Sequence, residues 1–354
     1  MEVLTQVRPD PLLVFIHIPK TAGTTVRSVI RTNEPGTRNR RPGANVFQGG
    51  GGVNTKALEK LRDEATRLDL DGVNILHGHN PLGIREYLEP AFPDRAFRYF
   101  TFLRDPVERS LSHYFRLRDR PVFVDEEETE EEDEAPPLPT GTTFDGAIDA
   151  GYLHDNLQTR MLSGDPEPFG EVTEDTLDRA KRNVQTTFTL AGITERLDES
   201  LVLARRRLGW RSVLFEPGHR VNTNRPRGAA IPQELRVAAE RANRYDIELY
   251  RFAMEEFDRA PERDDLEFHV ELAALRVANA RNENGLDVPT PPGFHAGERE
   301  WRLLLQARAR LLQLRHEASR RQVRTIRHGL PATQAGVSRR RVKDAAKRVR
   351  SGHA

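Results

Sequence analysis

Residues Leu12 to Thr25 read LLVFIHIPKTAGTT. Leu12 to Ile18 is a nearly continuous apolar, β-rich run of strand length, the pattern of a strand buried on both faces of a parallel sheet. The turn Pro19-Lys20-Thr21-Ala22-Gly23-Thr24-Thr25 follows at once and leads into a helical segment over Val26 to Arg31. Strand–loop–helix junctions bind anions in α/β proteins, because loop N–H groups and the helix N-terminus point at the ligand. Gly23 permits close backbone approach, Thr24 and Thr25 add hydroxyl donors, and Lys20 adds a charge. The turn is not a Walker A sequence: the G-x-x-x-x-G-K-[ST] spacing is absent and Lys20 comes first rather than last. Taken alone, it reads equally well as an ordinary connection with a solvated lysine.

A second junction of the same kind lies downstream. Phe97 to Leu103 (FRYFTFL) is a strand, followed by a helix over Asp105 to Leu117 with Asp105 as N-cap and Pro106 at its first position. Arg104 ends the strand with a guanidinium fork suited to phosphate. Ser112 lies two turns into the helix and can face the same side, whereas Arg109 reads as a surface ion-pair partner. Two basic junctions imply a ligand with two anionic ends. Between them, a short strand at Val73 to Leu76 runs into His77-Gly78-His79-Asn80-Pro81, which belongs at the carboxyl edge of the sheet, where clefts form. Two histidines there are structural hydrogen-bonding groups, part of a metal site, or an acid–base pair. A metal is disfavoured because nothing nearby supplies further ligands. His17, alternating with apolar neighbours, reads as a core or supporting histidine, and His113 as a packing residue of its helix.

Outward from these motifs, Asn33 to Asn54 is rich in Gly, Pro, Asn and Arg and reads as a long loop, followed by an amphipathic helix over Thr55 to Leu68. Further helices are expected near Asp145 to Ala150, His154 to Leu162, Glu174 to Asn183, Leu197 to Leu208 and Pro232 to Arg259, with a strand at Phe188 to Gly192. Two more helices follow at Asp264 to Asn282 and Glu298 to Arg327. Alternating strands and helices give an α/β class: a three-layer sandwich with a central, mainly parallel sheet. The expected organisation is one domain over residues 1–260 and a helical, basic extension over 261–354.

The 354 residues carry 55 Lys+Arg against 54 Asp+Glu, a net charge of +1 that hides segregation. Residues 121–142 hold nine acidic side chains, Asp125 to Glu134 broken only by Thr129, and read as a disordered insertion. Trp301 to Ala354 holds fifteen basic and two acidic residues. That tail is a solvated helical face or a surface for an anionic partner. The absence of cysteine excludes disulfides, thiolate metal sites and a cysteine nucleophile. With no long apolar run and no secretory leader pattern, a cytoplasmic protein is expected.

The pairing of FIHIPKTAGTT with FLRDPVERSLSHY resembles the sulfotransferase superfamily that uses 3′-phosphoadenosine 5′-phosphosulfate (PAPS). It is most similar to the carbohydrate branch of heparan 2-O- and chondroitin-type enzymes and their bacterial relatives. The stretches NLQTRMLSG (156–164), LAGITERLDESL (190–201) and NRYDIELYRFA (243–253) are weaker family-like matches. The resemblance implies that Lys20, Thr21, Ala22, Gly23, Thr24 and Thr25 cradle the 5′-phosphosulfate and that Arg104 and Ser112 bind the 3′-phosphate. It implies His79 as general base, since the second histidine of an H-G-H sequence has that proposed role in heparan 2-O-sulfotransferase-like members. His77 then supports it, and no metal is required. The acceptor implied is a carbohydrate or glycoconjugate hydroxyl. Arg38, Arg40, Arg41, Arg85, Arg160, Arg220, Arg225 and Arg227 are acceptor or nucleotide candidates. Two other readings stand beside it: a nucleoside-triphosphate kinase or hydrolase, and a non-catalytic protein whose basic tail binds nucleic acid or membrane.

Overall fold

Strand β1 (Leu12–Ile16) is buried at every residue, as an unbroken apolar run requires when both faces are covered. The computed structural model describes residues 11–33, 46–49, 73–119, 137–166, 168–215 and 231–283. Among them, β1 is the middle of a five-stranded, all-parallel sheet with β2 (Val46–Gly49), β3 (Ile75–Gly78), β4 (Phe97–Leu103) and β5 (Phe188–Ile193). The order is β2-β3-β1-β4-β5. The chain leaves β1 toward one edge and returns past it to the other. The carboxyl ends of β1 and β4 therefore flank a topological switch point, the usual place for a ligand cleft.

Helices α1 (Gly23–Asn33), α2 (Arg85–Ala91) and α3 (Pro106–Arg118) connect these strands. The Asp105 side chain accepts the backbone N–H of Glu108 at 2.9 Å and caps α3, with Pro106 at its first position. After α4 (Phe144–Asp149), α5 (Leu157–Leu162) and α6 (Glu174–Thr186), β5 leads into α7 (Leu197–Leu208), then α8 (Gln233–Ala242), α9 (Arg244–Asp258) and α10 (Leu266–Glu283). One hydrophobic cluster surrounds the sheet. A second joins Leu111 and Phe115 of α3 to Phe144 of α4 and Ala239 of α8.

The single helix expected over Pro232 to Arg259 is two, α8 and α9. Asn243 breaks it: its Nδ2 donates to the Ala239 carbonyl at 2.7 Å and to Ser110 Oγ at 3.2 Å. The new N-terminus of α9 then docks on that of α5, and each caps the other. Asn156 Oδ1 accepts from Tyr245 N and Asp246 N, while the Asp246 carboxylate accepts from Gln158 N at 3.0 Å and Thr159 N at 2.7 Å. This exchange satisfies four N–H groups that helix starts leave without partners. Asn156 is left-handed at φ +46, a conformation its side chain tolerates well.

The loop expected over Asn33 to Asn54 contains the edge strand β2, which a Gly-rich setting hides from a pattern search. The expected helices over 55–68 and 298–327, the acidic insertion, the basic tail and Arg38, Arg40, Arg41, Arg220, Arg225 and Arg227 lie outside the described residues. The chain divides into units 1–290 and 291–354, the second also outside them. Phe268, Leu272 and Leu275 of α10 are buried in the main core, and Arg206–Asp265 (2.7 Å) and Arg207–Glu262 (2.7 Å) pair α7 with the segment leading into and just before α10. Thus the first helix beyond residue 260 packs as part of the sheet-bearing unit.

Candidate active site

The turn after β1 is held in an unusual backbone conformation. Lys20 (φ +70) and Ala22 (φ +64) are both left-handed without being glycine. Each such residue costs on the order of 1–3 kcal/mol and persists where surrounding structure enforces it, typically at ligand-binding turns. Between them Thr21 is buried, and its hydroxyl donates to the Ile18 carbonyl at 2.8 Å. Turns of this kind gather backbone N–H groups into an anion-binding concavity ahead of a helix, here α1. Thr24 and Thr25 stand partly exposed in the first turn of α1. Gly23, its first residue, is sterically required: a Cβ there would lie 1.7 Å from Nε2 of His17.

The turn after β4 meets it. Arg104 Nη1 donates to the Lys20 carbonyl at 3.1 Å, and Thr101 Oγ1 donates to the Ile16 carbonyl at 2.8 Å. Two motifs 84 residues apart in sequence thus adjoin at one sheet edge. Gln158 of α5 exchanges two hydrogen bonds with the backbone of Arg104, accepting its N–H at 3.0 Å and donating to its carbonyl at 2.9 Å. Glu195, just past β5, accepts the Asp105 N–H at 3.0 Å and the Tyr250 hydroxyl at 2.8 Å. Ser112 is partly exposed on α3.

Three histidines lie beside the first turn. His79 Nδ1 is 2.9 Å from the His17 carbonyl oxygen. A carbonyl only accepts, so Nδ1 carries a proton, and in the neutral ring this leaves Nε2 as the acceptor nitrogen. The His17 and His79 rings lie 4.4 Å apart at their centroids, tilted by 30°. The same His17 ring rests on Gly23, so it is wedged between the Lys20 turn and His79. Burial, helped by His79, Arg27, His77 and Lys20, holds the His17 pKa well below the ordinary value. His77, in register with Phe15 of β1, is pushed down to about 3 by burial and then by Arg27 and His79.

A stability prediction follows from His77. The unfolded chain takes up this proton as pH falls through ~6.5, whereas the folded chain resists until about 3. Stability is therefore fully present above ~6.5 and is lost on acidification at up to about 1.4 kcal/mol per pH unit from this residue. The urea midpoint is expected to drop between pH 7 and pH 5, and to drop less in His77→Asn. Equal drops would remove His77 as the cause.

Arg109 is not the surface ion-pair partner its helix position implied: it is 1% exposed and faces the field of the fully buried Asp246. Burial lowers its pKa to about 10 and, on the other side, raises that of Asp246 against the pull of Arg109. Arg160 is also taken up internally, donating to Asp155 Oδ1 at 2.6 Å and to the Pro168 carbonyl at 2.8 Å, which removes it as an acceptor candidate. Arg85 lines a cleft of about 420 Å³ with Glu86, Glu89, Ser163 and Asn183. His113 is buried, in keeping with a packing role. Among the described residues no cluster of three or more His, Cys, Asp or Glu is placed to hold a metal ion, and no helix is long and apolar enough to cross a membrane. Sequence reading missed Gln158, Glu195 and the contacts of His17. The available signals were a buried polar residue inside NLQTRML and a histidine interrupting the apolar run of β1.

The central strands β1 and β4 of the parallel sheet each end in a basic turn at a topological switch point, where ligand clefts of open α/β sheets lie. The chain belongs to the galactose-3-O-sulfotransferase family, whose model matches residues 70–284. That match covers the H-G-H turn, Arg104, Gln158 and α9, and begins beyond the Lys20 turn. Heparan-sulfate 6-O-sulfotransferase 2 of Homo sapiens is 26% identical over 283 residues, covering 71% of this chain and 45% of the relative. Heparan-sulfate 6-O-sulfotransferase 1 of Cricetulus griseus is 25% identical over 282 residues, 71% of this chain and 68% of the relative. Human uronyl 2-sulfotransferase is 28% identical over 200 residues, half of this chain and 47% of its own. The chain thus spans about half the length of these human relatives. A mouse sulfotransferase, SULT7A1 complexed with PAP, aligns at a TM-score of 0.32 and 13% identity over 78% of this chain and 88% of that one.

Proposed function

We propose that the protein moves a sulfuryl group from PAPS to a hydroxyl of a carbohydrate or glycoconjugate by in-line displacement. The observation that carries this reading is the hydrogen bond from Arg104 Nη1 to the Lys20 carbonyl, which joins two basic turns at one edge of the sheet. The donor set fits a nucleotide anionic at both ends: a left-handed turn, a helix start with two threonines and a lysine on one side, an arginine and Ser112 on the other. The relatives, named for sulfation of heparan and uronyl sugars, support a carbohydrate acceptor.

In this reading the bound donor supplies an activated sulfuryl group whose transfer builds charge on the leaving phosphate oxygen. Lys20 and the N–H groups of residues 21–25 stabilise that charge without reorganising. Arg104 and Ser112 hold the 3′-phosphate and so fix the nucleotide along the switch point. His79, with its proton on Nδ1, takes the acceptor proton at Nε2. His77, buried on β3, stays neutral. The experiment is transfer of label from ³⁵S-labelled PAPS to a panel of glycosaminoglycans and glycolipids. Labelled product from the wild-type protein and its loss in Lys20→Ala are expected. An unlabelled panel, or full activity in Lys20→Ala, would overturn the reading.

A further inference from the structure

The NLQTRMLSG and NRYDIELYRFA stretches meet at the turn that carries Arg104, and what they do there exceeds packing. The β4–β5 ladder ends at Leu103, opposite Ile193. The backbone N–H and C=O of the next residue, Arg104, are paired by a side chain instead. Gln158 Oε1 accepts its N–H at 3.0 Å and Nε2 donates to its carbonyl at 2.9 Å, so the carboxamide stands in for a neighbouring strand. Gln158 is fully buried, and its own backbone N–H is held by Asp246 at 3.0 Å. Four residues further along α9, Tyr250 donates to Glu195, whose other oxygen accepts the N–H of Asp105 at 3.0 Å. Asp246 and Tyr250 lie one helical turn apart, so both point from one face of α9. Two consecutive N–H groups, Arg104 and Asp105, are therefore tied to one helix through Gln158 and Glu195.

We propose that Gln158 is a positioning residue for recognition of the nucleotide's 3′-phosphate, fixing the Arg104 backbone so that its guanidinium discriminates nucleotides that carry this group from those that lack it. The inference rests on the functional reading above. Only a glutamine meets the requirement. Asn is one methylene short. Glu has no donor for the Arg104 carbonyl. Leu fills the space but leaves a buried N–H and C=O unpaired.

Calorimetric titration of the full chain with adenosine 3′,5′-bisphosphate and with adenosine 5′-phosphate tests it. The wild type is expected to prefer the bisphosphate by about 10- to 100-fold, the range of a charge-assisted contact. In Gln158→Leu that ratio is expected to fall toward unity, with adenosine 5′-phosphate bound as in the wild type. Gln158→Glu keeps the size and one acceptor, serves if the leucine variant does not fold, and is expected to lose most of the preference. A preference retained in a folded variant, or equal weakening of both nucleotides, would overturn the proposal while leaving the functional reading in place. A wild type without preference would overturn both.

Discussion

Replacing His79 by alanine is expected to lower turnover by about two to four orders of magnitude, the usual worth of a positioned general base, with binding of adenosine 3′,5′-bisphosphate retained. The acceptor hydroxyl has a pKa far above neutrality, so its proton must leave as the sulfur–oxygen bond forms. The His17 carbonyl, 2.9 Å from Nδ1, sets the tautomer in which Nε2 can accept it. Because that contact uses backbone, changing the His17 side chain does not abolish it. Single-turnover kinetics beside a nucleotide titration checks the prediction. Near-normal turnover in His79→Ala would take the base assignment away from this residue, whereas parallel loss of binding and turnover would make His79 a structural group.

Gly23→Ala is expected to cost about 2–3 kcal/mol of stability and to abolish transfer. The added methyl would sit 1.7 Å from His17 Nε2, 2.1 Å from Cε1 and 2.8 Å from Cδ2. The ring has little room to withdraw, with the His79 ring 4.4 Å away and Phe15 stacked at 5.1 Å. Relief must come from the turn itself, which carries Lys20. The double variant His17→Ala/Gly23→Ala removes the obstruction and is expected to be more stable than Gly23→Ala alone. That is a favourable coupling of the kind seen only between touching residues. Thermal denaturation of the four proteins in the cycle decides it. Additive losses would show that Gly23 is needed for something other than clearance of His17.

The parts of this fold that could be read from sequence are those where local chemistry and tertiary demand agree. β1, β4 and the start of α3 fall where the apolar runs and the Asp105-Pro106 cap put them. The positions of the Lys20 and Arg104 turns could be read for the same reason, as strand ends followed at once by helix starts. Contacts between distant segments were not legible. Nothing in the periodicity of 232–259 announces that Asn243 ends one helix and that Asn156 starts the next, because the first is held by Ser110 and the second arrives from 89 positions away. Arg109 looks solvated on its helix and is buried because Asp246 comes from 137 positions away. His17 and Gln158 are ordinary residues by type. Their importance lies in what they touch, Gly23 and His79 for one and the Arg104 peptide for the other. In each case a polar side chain in an apolar run was the visible trace of a distant partner.

Removing one phosphate and one side chain at a time asks whether the Lys20 and Arg104 turns hold opposite ends of one nucleotide. Affinities of adenosine 3′,5′-bisphosphate, adenosine 5′-phosphate, adenosine 3′-phosphate and ATP with Mg²⁺ are measured for the wild type, Lys20→Ala and Arg104→Ala. The bisphosphate is expected to bind most tightly. Lys20→Ala is expected to weaken only ligands with a 5′-phosphate and Arg104→Ala only those with a 3′-phosphate, each by about 10- to 100-fold. Tighter binding of ATP with Mg²⁺, or the same loss for every ligand in both variants, would contradict that arrangement.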